Sequence, residues 1–224
     1  MRGFSNAGSQ RWIQIAVNRR PEVLLRSLRR SGAVSTNGTV TWGSPLEAEG
    51  FRQYRDGVAL TKAGIQKLPI RALREFWPPR GPVWDAIGTT SDGRAIFVEA
   101  KAHIPEAASP ACQASEGSVP LILQSLEEAR RAYAPKATAM WSGLFYQYAN
   151  RLAHHYLVNR VNRVPSALVF LYFVNAQDMR GPTSACEWKG ASRLLHAALG
   201  LPAHLDAHGV FDAYLDVRQL ADAV

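Results

Sequence analysis

The chain has 224 residues, 47% of them hydrophobic, which is enough apolar material to fill the core of a folded domain. Lys and Arg number 26 against 18 Asp and Glu, and the formal charge of +8 favours a polyanionic partner such as nucleic acid, although it also suits a solubilising surface. No signal peptide, membrane-spanning run or zinc-ligand spacing around the two cysteines is found, so we expect a cytoplasmic protein with a single domain over residues 1–224 and no membrane partner.

The first third of the chain predicts helices before a strand. Ser9 can cap a helix, and residues 9–31 have apolar positions at helical spacing. Residues 39–42 predict a strand, and a helical pattern follows over 60–76. The first 31 residues also hold seven arginines against one acid, which predicts a basic face. Its candidates for phosphate contact are Arg26, Arg29 and Arg30, and a solubilising surface is the alternative.

A β-hairpin is the most informative local prediction. The runs 82–89 and 94–102 are typical of strands, and the turn residues 90–93 separate them. In a strand, side chains two residues apart lie on one face. Glu99 and Lys101 should therefore project from the sheet side by side.

The length of the hairpin loop decides where Asp85 lies. A three-residue loop over 91–93, with its glycine in the left-handed region, places Asp85 opposite Glu99 on the same face. A two-residue loop over 92–93 instead pairs Asp85 with Ala100 and sends the two carboxylates to opposite faces. The sequence leaves both registers open.

The second half of the chain alternates helices with strands. Residues 105–118 are typical of a loop, and the run 167–174 is apolar throughout, as in a strand buried on both faces. The remaining predicted elements are helices over 119–133, 141–162 and 187–199 and a strand over 210–217. Together these patterns predict an α/β fold with a mixed central sheet and helices on both faces.

Two carboxylates opposed on one sheet face call for a positive counter-charge. They repel by roughly 0.2 to 1 kcal/mol when nothing neutralises them. Carboxylate oxygens suit Mg²⁺ or Mn²⁺, which leave other coordination positions to water and phosphate. If Asp85 lies opposite Glu99, Lys101 is placed to contact such a water or phosphate.

The spacing also resembles a known family. Asp85, followed after thirteen residues by Glu99-Ala100-Lys101 on a hairpin, resembles the signature of the PD-(D/E)XK nuclease superfamily, although Pro82 stands three residues before the aspartate instead of beside it. The resemblance implies a restriction-endonuclease-like core over roughly residues 9–175, plus helical additions. The Tyr146–Tyr148 segment, with Gln147 at its centre, is similar to a motif of the RecB-like branch.

The resemblance also implies a function. It is that of a Mg²⁺- or Mn²⁺-dependent nuclease, a phosphodiesterase acting on nucleic acid, with DNA favoured over RNA. Asp85, Glu99 and the Ala100 carbonyl would hold the metal, and Lys101 and Gln147 would join the two carboxylates as catalytic residues. The alternative is a nucleic-acid-binding or assembly module that keeps the fold without turnover.

Several further polar residues are secondary candidates. Glu22 and Glu75 are candidates for the additional acid that many members of the superfamily supply, and His103 follows the motif closely enough to touch a phosphate. A second group is predicted to form a solvated basic face on the helix over 141–162 and just beyond its end: Arg151, His154, His155, Arg160 and Arg163.

Overall fold

The computed structural model describes residues 3–220, which form an α/β fold with seven α-helices and five strands. The helices are α1 (Gly8–Asn18), α2 (Pro21–Ser31), α3 (Asp56–Lys62), α4 (Leu73–Phe76), α5 (Val119–Tyr133), α6 (Tyr146–His155) and α7 (Ala185–Leu199). The strands are β1 (Val40–Ser44), β2 (Ala86–Thr90), β3 (Ala95–Lys101), β4 (Ser166–Val174) and β5 (Val210–Asp216). Short 3-10 segments and a π-helical turn after α6 complete the fold.

The five strands form one open mixed sheet in the order β1-β2-β3-β4-β5. The first three pair antiparallel, and β3, β4 and β5 pair parallel. Every residue of β4 is buried, because this strand has a neighbour on each side and helices over both faces. The prediction of a strand buried on both faces over 167–174 is confirmed.

Helices cover both faces of the sheet, as predicted. One core cluster lies between the sheet and α3 to α7, and it contains Phe97, Phe170 and Leu152. The other lies between the sheet and α1 and α2, and it contains Ile96 and Val98. Successive residues of β3 contribute to the two clusters in turn, because side chains alternate between the faces of a strand.

On the face toward α6 and α7, the register of β3, β4 and β5 aligns side chains in rows. Because the pairing is parallel and continuous, each residue of β4 has one partner on either side. Two of these rows carry polar groups and matter for function: Glu99, Phe170 and Asp212 in one, and Lys101, Tyr172 and Tyr214 in the next.

Two local predictions in the first third are wrong. The helical pattern over 60–76 is broken into α3 and α4, because Gly64 adopts a left-handed φ of +79° and the Asn162 side chain binds the backbone N–H groups of Ile70 and Arg71. Ser9 does not cap α1 but lies within it. The backbone N–H of Gly8 donates instead to the Asp178 carboxylate at 2.9 Å.

Both cysteines are free. Within residues 3–220, no helix is long and apolar enough to cross a membrane.

Candidate functional site

The hairpin of β2 and β3 has the register that brings the two carboxylates opposite each other. Ala86 pairs with Val98, and Thr90 closes the turn by donating its N–H to the Arg94 carbonyl at 2.8 Å. The loop is therefore three residues long, and its last residue, Gly93, has a φ of +81°. Of the two registers that the sequence left open, the structure has the three-residue loop, and Asp85 lies opposite Glu99.

Asp85 lies just before β2, where the chain leaves the regular ladder. Its Oδ2 accepts the backbone N–H of Ala100 at 2.8 Å, and its Oδ1 accepts Nε2 of Gln53 at 2.9 Å. The side chain is half-buried at the end of the hairpin. No Lys or Arg among residues 3–220 forms an ion pair with it.

Glu99 is in the opposite situation, because both of its oxygens are in ion pairs. The residue is only 2% exposed. Its Oε1 accepts Nζ of Lys101 at 2.6 Å, and its Oε2 accepts Nε of Arg151 at 2.7 Å. Lys101 also donates to Oε1 of Gln147 at 2.8 Å, which completes a buried polar network under α6.

The helix α6 supplies the other half of this network. Gln147 and Arg151 are four residues apart and so lie on the same side of the helix. The guanidinium of Arg151 also donates to the Val83 carbonyl at 2.9 Å and stands 5.2 Å from the centre of the Trp84 ring. Arg151 therefore ties the helix to Glu99 and to the start of the hairpin.

The prediction of a solvated basic face is wrong for the part of it that belongs to α6. Arg151, His154 and His155 are 4%, 7% and 1% exposed, because α6 packs between α5 and the sheet. Burial lowers the pKa of both histidines to about 4, so they are neutral near pH 7. Arg160 and Arg163, past the end of the helix, are exposed as predicted.

The electrostatics of the two opposed carboxylates differ accordingly. Burial and the charge of Glu99 raise the pKa of Asp85 to about 7, against the opposing effects of Lys101, the Ala100 N–H and Arg151. Burial also acts to raise the pKa of Glu99, but the charges and hydrogen bonds of Arg151 and Lys101 outweigh it and lower that pKa. Glu99 is thus held ionised, whereas Asp85 has no cation of its own.

Asp85, Glu99 and Ala100 offer oxygen donors of the kind that divalent metals bind. In a strand, the N–H and C=O of one residue point to the same side, so the Ala100 carbonyl points to the side where its N–H meets Asp85. Trp84, the residue that would continue the ladder, donates its N–H to Tyr54 instead. Each Glu99 oxygen has a second lone pair besides the one in its ion pair. This donor set fits Mg²⁺ or Mn²⁺.

The structure does not bring a third acid to the pair. No group of three or more His, Cys, Asp or Glu side chains placed to hold a metal occurs within residues 3–220. Glu22 is exposed on α2, and Glu75 is exposed and accepts the backbone N–H of Ala72, the residue just before its own helix. His103 lies just after β3, with its Nδ1 3.5 Å from the Glu106 carboxylate.

A cleft of about 740 Å³ is lined by Gln53, the hydrogen-bond partner of Asp85, and by Val83. The exposed side chains of Arg52 and Arg55 lie along the same cleft, with Glu49 as an acid among them. Asp85 itself is not among the lining residues, and its hydrogen bond with Gln53 connects it to the cleft.

Two residues of the site were missed by the sequence analysis. Arg151 could have been found from its position one helical turn after Gln147, which places both side chains toward the same partner. Gln53 gave no local signal, because it lies in a loop that reaches Asp85 through the isolated pairing of Tyr54 with Trp84.

No protein-family model, curated protein or solved structure matches this chain.

Proposed function

We propose that this protein is a metal-dependent nuclease with a PD-(D/E)XK-type site on a restriction-endonuclease-like core, hydrolysing phosphodiester bonds of nucleic acid. One observation carries the proposal. The hairpin register puts Asp85 opposite Glu99, and Lys101 bonds both Glu99 and Gln147. These four residues are the ones that the resemblance in the sequence requires at one site.

Asp85, Glu99 and the Ala100 carbonyl would hold Mg²⁺ or Mn²⁺. When bound, such an ion polarises a phosphate oxygen and makes a coordinated water more acidic. Asp85 must be ionised to serve as a ligand, and its pKa of about 7 means that this requires neutral or higher pH in the absence of a cation.

The remaining residues of the site would orient the reacting groups and neutralise negative charge. Lys101 forms an ion pair with Glu99, and an ammonium at that position would donate to the attacking water or to a phosphate oxygen as negative charge develops. Gln147 holds the Lys101 ammonium from the helix side. Arg151 fixes Glu99 and keeps it ionised, and it is therefore a positioning residue.

The cleft lined by Gln53 would admit the substrate. Arg52 and Arg55 line it and are exposed, so they are available for phosphate contacts. In contrast, Arg26 and Arg29 belong to α2, which packs on β5, three strands away from β2 in the sheet. If the substrate reaches Asp85 through the cleft, Arg52 and Arg55 should contribute more to its binding than Arg26 and Arg29.

A second candidate function is a nucleic-acid-binding or assembly module without turnover. The observation in its favour is that Lys101 and Arg151 already neutralise both oxygens of Glu99. Such a protein would bind nucleic acid through its basic residues and would not need a cation between Asp85 and Glu99.

The test is a cleavage assay on single-stranded and double-stranded DNA and on RNA, with Mg²⁺ or Mn²⁺. We expect cleavage by the unaltered protein and a loss of at least about 100-fold in Asp85→Asn and in Lys101→Gln. The matched control is Asp92→Asn, which alters an exposed acid of the same hairpin and should leave the rate unchanged.

Binding measured with Ca²⁺ in place of Mg²⁺ separates the two candidates. Tight binding without cleavage under any of these conditions would establish the second candidate and overturn the first. Cleavage that survives Asp85→Asn would show that the activity arises elsewhere.

A further inference from the structure

A cavity of about 370 Å³ lies between α7, the end of α2 and the edge strand β5. Its size is in the range of small-molecule sites. Glu99 and Asp212 stand on either side of Phe170 in one row of the sheet, and the Tyr148 ring stacks on Phe170 at 3.9 Å. These two rings separate the cavity from the site around Glu99.

Asp212 lies on the inner wall of this cavity. It is half-buried, and no Lys or Arg in the described part of the chain forms an ion pair with it. Burial raises the pKa of Asp212 to about 6, against the opposing effect of a hydrogen bond with Ser192, and this still leaves the carboxyl ionised at neutral pH. The fold thus holds a carboxylate toward a cavity without a counter-charge.

The rim of the same cavity is basic. Arg30 at the end of α2 and Lys189 and Arg193 on α7 line it, and all three are exposed. None of them forms an ion pair with any residue between 3 and 220. Asp206 is the one acid on the rim, so the local balance remains positive.

The His196 imidazole forms a fixed and uncharged part of the cavity wall. Its Nδ1 lies 2.9 Å from the Pro202 carbonyl, which can only accept, so Nδ1 carries the proton. Its Nε2 therefore accepts the Tyr148 hydroxyl at 2.7 Å. The wall is rigid, and the charges that remain free to bind a ligand are the cations of the rim and the carboxylate of Asp212.

We infer that this cavity binds a nucleoside monophosphate, with its phosphate on the basic rim and a sugar hydroxyl or base N–H donating to Asp212. A ligand needs both an anionic group and a hydrogen-bond donor to contact the basic rim and Asp212 together. Inorganic phosphate would be repelled by Asp212, and a neutral nucleoside would leave the cations unused. The Tyr214 ring also lines the cavity, and the Lys189 ammonium stands 5.7 Å from its centre, so an aromatic ring and a cation of the rim lie side by side there. The inference is independent of the proposed nuclease activity.

The experiment is calorimetric titration of the full chain near neutral pH with AMP and GMP, in parallel with guanosine and inorganic phosphate. We expect at least one nucleotide to bind, and each of the two half-ligands to bind about tenfold more weakly or worse. Asp212→Asn and Arg193→Gln should each weaken nucleotide binding by about tenfold, because each removes a charge-assisted hydrogen bond.

The controls are Asp216→Asn, on the same strand with its carboxylate bound to Arg218, and Arg131→Gln, an exposed arginine of α5. Both should bind the nucleotide like the unaltered protein. If Asp212→Asn does not fold, Lys189→Gln and Arg193→Gln still test the rim, because both residues are exposed on α7.

Two results would overturn the inference. One is the absence of nucleotide binding at millimolar concentration. The other is phosphate binding as tight as nucleotide binding together with no effect of Asp212→Asn, which would reduce the site to an anion-binding rim.

Discussion

Glu99 and Asp212 face the same helical layer from two strands that both pair with β4, yet their surroundings are opposite. Their Cα atoms are roughly 10 Å apart, given the usual spacing between neighbouring strands. Glu99 has Lys101 on one oxygen and Arg151 on the other, and its pKa is lowered. Asp212 has three cations around its cavity and an ion pair with none of them, and its pKa is raised.

The difference shows how one sheet face can use a buried carboxylate in two ways. A buried anion between two cations is part of the structure, because its removal leaves those cations without a partner. A carboxylate that faces a cavity without a counter-charge weakens the fold slightly and remains available to a ligand. Glu99 should therefore matter for stability, and Asp212 for binding.

The largest expected effect is on stability at neutral pH. Glu99→Gln should lower the free energy of unfolding by about 3 to 5 kcal/mol, because Arg151 and Lys101 lose their shared anion in a buried network. Asp212→Asn should not lower it and should raise it by about 1 to 2 kcal/mol, because the variant removes a carboxylate that has no ion-pair partner among residues 3–220. Urea unfolding monitored by circular dichroism measures both.

The control for that comparison is Glu127→Gln, which removes a surface ion pair with Arg130 and Arg131 on α5. It should cost less than about 1 kcal/mol. Equal costs for Glu99→Gln and Glu127→Gln would remove the distinction between a structural and a surface carboxylate.

The next effect is on the pH dependence of stability. Asp212 has a pKa of about 6 in the folded state against an ordinary value of 3.8, so the folded state holds this proton more tightly. Its ionisation therefore lowers stability as pH rises from about 4 to about 6. Asp212→Asn should match the unaltered protein near pH 4 and exceed it by about 1 to 2 kcal/mol near pH 7.5.

For Asp216, on the same strand, we expect a pH dependence of stability with the opposite sign. Burial acts to raise the pKa of Asp216, but hydrogen bonds with Arg218 help to outweigh it and the pKa is lowered. The contribution of Asp216 to stability is therefore present at neutral pH and is lost as pH falls through the folded-state pKa. Asp216→Asn should therefore be less stable than the unaltered protein at pH 7, by an amount that shrinks in acid. Parallel curves for the two variants would contradict the assignment of the raised pKa to Asp212.

The smallest effect concerns the wall between the two sites. Tyr148→Phe keeps the ring that stacks on Phe170 but removes the hydroxyl that bonds His196. We expect a loss of about 1 kcal/mol in the free energy of unfolding, the usual value of one hydrogen bond. A loss above about 3 kcal/mol would mean that the hydroxyl organises much more of the wall than one contact.

The sequence predicted the parts of the site that depend on local chemistry. The alternation along β3 predicted that Glu99 and Lys101 share one face, and the turn residues 90–93 reduced the hairpin to two registers, one of which opposes Asp85 and Glu99. The apolar run of β4 identified the central strand in the same way. These features depend on residues close together in the chain, where turn geometry and the two-residue period of a strand are informative.

The parts that depend on contacts between distant segments were not predicted. Nothing near Arg151 indicates that its helix will lie under α5, so it was assigned to a solvated face although it is 4% exposed. The helix predicted over 60–76 is interrupted partly because Asn162, about ninety residues away, binds the backbone there. The cavity beside Asp212 likewise forms only when α2, α7 and β5 come together.

The ion pair between Arg151 and Glu99 also has a consequence for the order of folding. It joins residues 52 positions apart, across the long connection that carries α5 and α6 from β3 to β4. Closing such a loop costs chain entropy, so hairpins and single helices form sooner than contacts of this kind. Until α6 docks, Glu99 stays hydrated and Lys101 lacks its hydrogen bond to the Gln147 side chain. The hairpin can therefore form early, whereas the polar network around Glu99 is completed only when α6 packs against the sheet.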